Sequence, residues 1–133
     1  MREFEHIPTI KDCGWTLVSA EARSAKNPKT FQIPSFEERS SLSRGMAAKL
    51  LFDIATTEDG KLRDRGVDRM WVIVTSVLDV GYQGVLDSDP GTADGLALAK
   101  GDLVFFRAEH ISGVDRPPRE FLVTQLSEFF TDN

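Results

Sequence analysis

The sequence predicts an α+β fold: a strongly bent antiparallel sheet, or a small SH3-like barrel, flanked by two short helices. Short runs of β-branched and aromatic residues alternate with turn signals made of Asp, Gly and Pro, which is typical of antiparallel strands. Two segments carry helical signals instead, a capping box near residue 35 and apolar residues at helical spacing after residue 119. No linker or repeat divides the 133 residues, so we expect one domain over 1–133.

The composition favours a soluble domain and disfavours several classes of function. Hydrophobic residues make up 41% of the chain and charged residues 28%, with a net charge of -5. Its apolar stretches are far shorter than the roughly 20 residues of a membrane helix. Because the start of the sequence lacks the pattern of a signal peptide, we expect a cytoplasmic protein. The acidic balance disfavours nucleic-acid binding, which needs a basic surface. Solubility is the simplest explanation of this balance, and a cationic partner or substrate is the alternative.

The first third of the chain is predicted to begin with extended structure. We expect residues 1–14 to form an arm or an edge strand, and residues 15–22, which start with Trp-Thr-Leu-Val, to form a strand. Asn27-Pro28 predicts a turn before a short extended piece over 30–33.

A capping box predicts the first helix. The Ser35 side chain can accept from the backbone N–H of Glu38, whose carboxylate can reach back to the Ser35 amide. The predicted helix runs to about Arg44 and ends at Gly45. Apolar residues alternate over 46–54, which indicates a half-buried strand, and a continued helix is the competing interpretation.

The middle of the chain predicts a central strand followed by a hairpin. We expect a turn at 57–61 and a polar connection over 62–68. Residues 70–78 are apolar on both faces, as in a strand that is covered on two sides. A turn at 79–82 then brings 83–86 back as the second strand of a hairpin.

The last third is predicted to hold a loop, a strand and a helix. Residues 87–95 are rich in Asp, Gly and Pro, and a tight turn at 100–102 leads into a strand over 103–107. Helical spacing begins at Arg119, so a short amphipathic helix either packs on the sheet or offers its apolar side chains to a partner. Those side chains are Phe121, Leu122, Leu126, Phe129 and Phe130.

Three motifs between residues 69 and 111 form a recognisable pattern. They are Arg69-Met70-Trp71-Val72-x-Val74, Gly84-Val85-Leu86-x-Ser88-Asp89-Pro90 and Gly101-Asp102-x-Val104-x-Phe106. The pattern resembles a family of small bacterial domains known only as a domain of unknown function, in which Asn is commoner than Ser at the position of Ser88. The resemblance implies a small β-rich domain, sometimes found beside toxin–immunity or interaction modules, and it implies no catalytic residue.

Carboxylates are densest in the segment 87–102. The four that we single out as candidate binding residues are Asp87, Asp89, Asp94 and Asp102. An EF-hand starting at Asp87 fails, because Thr92 stands where the turn glycine belongs and Leu98 where the bidentate Glu belongs. A solvated turn explains the cluster, and a weak cation site of another geometry stays open. We assign no metal or cofactor and add Tyr82 and Trp71 as candidate aromatic contacts.

The sequence offers no recognisable catalytic set. Its two histidines, His6 and His110, and its single cysteine, Cys13, show no metal-ligand spacing. Asp115 could approach His110 at the end of a strand, but no serine is singled out as a nucleophile. Nucleotide-binding glycine motifs are absent as well.

Two function hypotheses follow. The first is a non-catalytic, cytoplasmic protein-interaction domain of a bacterium, immunity-protein-like, whose acidic 87–94 loop contacts a basic partner. The second is a small-molecule-binding domain or minor enzyme with an acidic pocket between the sheet and the helices. Neither hypothesis involves nucleic acid or a membrane, and both leave the oligomeric state open.

Overall fold

The computed structural model describes residues 1–131, which form an α+β fold, as predicted. The elements in chain order are α1 (Ile10–Cys13), β1 (Trp15–Leu17), α2 (Ala20–Lys26), α3 (Phe36–Arg39), β2 (Ala47–Glu58), β3 (Lys61–Leu78), β4 (Gly81–Leu86), β5 (Leu103–Phe106), a 3-10 turn (Ala108–His110), β6 (Ile111–Asp115) and α4 (Arg119–Gln125). The described residues therefore contain four short α-helices, where the sequence predicted two.

The strands form one antiparallel sheet that curls strongly into a half-barrel, which confirms the predicted bending. Its order is β1-β2-β3-β4-β5, and β6 pairs with the first part of β2, on the same edge as β1. The register shifts at three places in the ladders, and such irregularities increase the local bend and twist. At the other edge, the N-terminal arm joins β5, since the Phe4 amide donates to the Leu103 carbonyl at 2.9 Å.

Two apolar clusters cover the two faces of the sheet. The larger one contains Trp15, Leu50, Phe52, Val72, Val74, Tyr82, Val104 and Phe106, all buried. The smaller one joins Ala47, Ile73, Val85 and Leu103 to Leu122 and Phe130 of the C-terminal segment. The C-terminal helix therefore packs on its own sheet. The strand predicted over 46–54 is confirmed, but it is largely buried on both faces; on the face expected to be solvated, Ala47 joins the apolar cluster of the C-terminal segment.

The strand predicted over 15–22 ends early. β1 stops at Leu17, and Ser19 caps a helix by accepting from the Ala22 amide at 3.1 Å. Glu21 lies in the first turn, where a negative charge is favourable, and the following residues are good helix formers. The β-favouring residues therefore form only the start of this segment, and the cap at Ser19 turns the rest into a helix.

The helix predicted to run to Arg44 begins as expected but ends at Arg39. The Ser35 hydroxyl accepts from the Glu38 amide at 3.1 Å, as predicted. The Glu38 carboxylate accepts from the Ser35 hydroxyl at 3.3 Å, whereas the capping box predicted that it would accept from the Ser35 amide. The hydroxyls of Ser40 and Ser41 then donate to carbonyls of the helix at 2.7 and 2.6 Å. Serine side chains compete with the backbone in this way and favour helix ends.

The polar connection predicted over 62–68 is instead the first half of β3. Residues 61–69 are all exposed, yet their backbones pair with β2 across a turn at Asp59-Gly60. Both turn residues have positive φ, as a tight hairpin requires. Across the pair, the Arg65 guanidinium bonds the Asp53 carboxylate at 3.0 and 3.1 Å, which raises the pKa of Arg65. Backbone pairing and charge pairs therefore maintain a strand that no apolar pattern indicated.

Candidate functional site

Two of the predicted binding residues, Asp102 and Tyr82, are buried parts of the framework. The Asp102 side chain is 2% exposed and accepts from the amides of Arg2 and Ala99 at 2.8 and 2.9 Å, and from the Arg2 guanidinium at 3.1 Å. Tyr82 is 4% exposed, and its ring packs against Phe106 at 5.4 Å between centroids. The polar atoms of both residues are occupied within the fold, and the Tyr82 side chain also forms part of the lining of an open depression.

Asp89 and Asp94 lie in the exposed loop between β4 and β5. The Asp89 carboxylate accepts from the Gly91 amide at 2.8 Å, so part of its role is local turn formation. The Asp94 carbonyl accepts from the Thr57 hydroxyl at 2.9 Å, which ties the loop to β2. Their side chains are exposed at separate points of the loop, and no group of acidic, histidine or cysteine side chains within residues 1–131 is arranged to hold a metal ion.

The structure brings Asp87 and Trp71 together in an open groove of about 410 Å³ between the sheet and α4. Ala47 and Ile73 form its apolar floor, Pro117, Pro118 and Phe121 line the other side, and Asp115 adds a second carboxylate. Neither Asp87 nor Asp115 forms an ion pair with any described residue. The groove is thus apolar with two unneutralised carboxylates among its lining residues.

His110 has a structural position. Its side chain is buried, and Nδ1 accepts from the Arg107 amide at 2.9 Å, which completes the 3-10 turn. Burial lowers the pKa of the imidazole; the Glu109 carboxylate opposes that shift, and Arg107 adds to it. A neutral imidazole with one nitrogen held by the backbone is suited to packing rather than to proton transfer with a substrate.

A patch of exposed apolar side chains surrounds the β3–β4 hairpin, and the sequence analysis did not identify it. We call Phe36, Val77, Leu78 and Val80 the hairpin patch; their exposed fractions are 61%, 58%, 42% and 66%. All four line one open depression of about 450 Å³. Four of the seven large apolar residues that are exposed within residues 1–131 therefore lie around a single surface feature.

Acidic side chains dominate the surroundings of the hairpin patch. Glu21, Asp79 and Glu109 line the same depression, against a single cation, Arg107. Glu21 bonds the buried guanidinium of Arg39 at 2.9 Å, while Asp79 forms no ion pair with a described residue. The depression therefore combines apolar side chains with a net negative lining.

One sequence signal could have revealed the hairpin patch. Hairpin turns are normally polar, but here Val77, Leu78 and Val80 surround Asp79, the only charged residue of the turn. Phe36 is the first residue of a helix of one turn, which is too short to bury such a side chain by itself. Large apolar residues at both positions are therefore a signal of exposed apolar surface.

Comparisons with protein-family models, with curated proteins and with solved structures give no match. The resemblance to the bacterial family of unknown function therefore stays a prediction from motifs. No helix within residues 1–131 combines the length and the apolar character needed to span a membrane.

Proposed function

We propose that this chain is a non-catalytic protein-interaction domain that binds its partner through the hairpin patch. The observation that carries the proposal is the exposure of four large apolar side chains around one depression. Contiguous exposed apolar surface is uncommon in a soluble domain and marks a contact face, because burying it against a partner removes it from water.

The charge around the hairpin patch argues for a basic partner. The lining of the depression is net negative and the chain carries a charge of -5. Complementary charge accelerates encounter and suppresses wrong partners, while the apolar centre supplies most of the affinity. An immunity-type domain that neutralises a basic toxin is the specific form of this proposal. The exposed Asp89 and Asp94 of the 87–95 loop follow the other end of β4, so they offer such a partner a second acidic surface, separate from the hairpin patch.

Affinity capture from a host-cell lysate at low salt tests the proposal. The bait with Val77→Asp and Val80→Asp should lose a partner that the wild-type bait retains, and salt should weaken wild-type capture. The matched control bait carries Leu62→Asp and Val67→Asp, which place two charges at exposed apolar positions elsewhere on β3. If all three baits retain a partner equally, the hairpin patch is not its binding surface.

The acidic loop has its own arm in the same experiment. A bait that carries both Asp87→Asn and Asp89→Asn should capture much less partner if the loop contacts the partner directly. Unchanged capture by this bait, with loss on the Val77/Val80 bait, would assign binding to the hairpin patch alone.

The groove beside α4 supports a second candidate function, the binding of a small cationic ligand. Trp71 and Phe121 offer aromatic surface, and Asp87 and Asp115 offer two unneutralised carboxylates. A saturating amine at a hundred times its dissociation constant should stabilise the fold by about 2.7 kcal/mol. Thermal denaturation with a panel of aliphatic and aromatic amines tests this, with an Asp87→Asn, Asp115→Asn variant as the control. If no amine raises the melting temperature, protein interaction is the one proposed function that remains.

A further inference from the structure

A small polar pocket beside β2 and β3 has cationic rather than acidic side chains in its lining. We call it the cationic pocket; it measures about 160 Å³ and is lined by Thr30, Phe31, Gln32, Lys49, Arg69 and Ser112. Lys49 and Arg69 come from neighbouring positions of paired strands, since Lys49 lies opposite Trp71 and Arg69 opposite Leu51. The fold thus directs two cations to one concave site with no acidic residue in its lining.

Neither cation is neutralised by the described part of the chain. Lys49 and Arg69 form no ion pair there, and the nearby acid Asp53 is engaged by Arg65. This is unexpected in a chain with 21 acidic side chains against 16 basic ones, where a carboxylate partner is easily supplied. Two adjacent cations without a counter-charge repel one another, and an anion bound between them would remove that repulsion.

Aromatic rings position both cations. The Lys49 ammonium lies 5.3 Å from the centre of the Trp71 ring, and the Arg69 guanidinium lies 5.7 Å from that of Phe31. The Arg23 guanidinium lies 5.9 Å from the centre of the same Phe31 ring and adds a third positive charge next to this lining residue. Contacts of this type restrict long side chains and so reduce the entropy lost when a ligand binds.

We propose that the cationic pocket binds the phosphate or carboxylate group of a small ligand. The Arg69 fork can bond two oxygens of such a group, and Lys49 supplies a point charge. Thr30 and Gln32 add neutral donors, whereas the Ser112 hydroxyl is already donated to the Lys49 carbonyl at 2.9 Å. A pocket of about 160 Å³ has room for one anionic group.

The test is a titration of the full chain with inorganic phosphate, phenyl phosphate and benzoate, at constant ionic strength balanced with chloride. Amide chemical shifts of Thr30, Gln32, Lys49, Arg69 and Ser112 should move in a saturable manner with at least one of the three. Affinity should fall at least tenfold in a Lys49→Gln, Arg69→Gln variant. It should stay unchanged in a Lys61→Gln, Lys100→Gln control, which removes the same charge from exposed positions.

The identity of the anion that binds shows whether the pocket recognises a phosphate group or oxyanions in general. Saturation by the phosphates alone assigns a phosphorylated ligand, and saturation by benzoate as well assigns oxyanions in general. Shifts that are linear in concentration, or equal affinities in the pocket variant and the control variant, would overturn the proposal. Because the chemical-shift map is recorded on the wild-type chain, the result stands even if the pocket variant folds poorly.

Discussion

The hydroxyl of Tyr82 donates a hydrogen bond of 2.8 Å to the carbonyl oxygen of Arg39, which connects β4 to the end of α3. The Tyr82 hydroxyl oxygen in turn accepts from the Leu42 amide at 3.2 Å, so one buried hydroxyl satisfies two backbone groups at the end of the helix and in the segment that follows it. Ser40, which begins that segment, donates through its hydroxyl to the carbonyl oxygen of Phe36, a residue of the hairpin patch, at 2.7 Å. The buried phenol thus stabilises the part of the surface that we propose as a contact face.

Replacement of Tyr82 by Phe should destabilise the protein by about 1–3 kcal/mol, because a buried carbonyl and a buried amide lose their partner while the ring stays packed. Urea denaturation measures the loss as a change in the free energy of unfolding. Thr92→Ala, at an exposed loop position, serves as the control and should stay within about 0.5 kcal/mol of wild type. A Tyr82→Phe variant as stable as the control would show that water satisfies both groups.

Asp102 and Asp89 have similar sequence contexts and should respond differently to neutralisation. Asp102→Asn is expected to cost about 1–3 kcal/mol, since an amide NH2 would replace one of two buried oxygens that accept from N–H donors. The exposed Asp89→Asn variant keeps an oxygen for the Gly91 amide and should change stability by no more than about 0.5 kcal/mol. Chemical denaturation of both variants decides this, and equal losses would contradict the structural role of Asp102.

His110 should make the protein less stable as the pH falls. Its pKa is lowered in the fold from the usual value near 6.5, so the unfolded chain binds the proton more readily. The contribution is fully present above pH 6.5 and is lost as the pH falls from there toward the lowered pKa, with a slope of at most about 1.4 kcal/mol per pH unit.

Denaturation midpoints between pH 7 and pH 5 measure that slope. His110→Gln should flatten it, since a Gln oxygen can accept from the Arg107 amide in place of Nδ1. The same substitution at His6, the other histidine and an exposed one, should leave the slope as it is. A slope that is identical in wild type and His110→Gln would assign the pH dependence to other groups.

Gly14 should tolerate alanine poorly because two effects act there. Its φ is +78°, and a Cβ would lie 2.5 Å from the Gly95 carbonyl oxygen, at the end of the acidic loop. Gly91 has φ +80° with open space around it, so Gly91→Ala isolates the backbone strain, about 1–2 kcal/mol. Gly14→Ala should lower the free energy of unfolding by about 1–3 kcal/mol more than Gly91→Ala, because its Cβ would also overlap the Gly95 carbonyl oxygen. Thermal unfolding of the two variants gives the comparison, and equal midpoints would mean that the loop moves away freely.

Local chemistry made several elements predictable. The capping box at Ser35 fixed where α3 begins, and the apolar run over 70–78 identified the central strand, because a single interaction or a single period explains each of them. The boundaries that failed were those in which neighbouring signals compete. Ser19 and Ser40 bond the backbone locally, one starting a helix and the other helping to end one, and the outcome depends on which backbone groups the rest of the fold leaves unpaired.

The surroundings of the candidate binding residues were harder to predict than the fold. In the sequence nothing distinguishes the four aspartates Asp87, Asp89, Asp94 and Asp102. In the structure Asp102 is buried and accepts from three N–H donors, whereas the side chains of Asp89 and Asp94 are exposed. The density of charged residues along a sequence does not show which of them are exposed to solvent, so buried Asp102 cannot be distinguished from the exposed aspartates of the loop.

By itself, the sequence determined the fold class, the central strands, the acidity of the chain and the lack of a recognisable catalytic motif, since each of these depends on residues close together or on composition. Only the tertiary structure decided that the β3–β4 hairpin exposes Val77 and Val80 beside Phe36, and that Lys49 and Arg69 share a pocket. Phe36 is far from Val77 along the chain, and Lys49 from Arg69. Their proximity follows from how the curled sheet brings its strands and helices together, which no local pattern encodes.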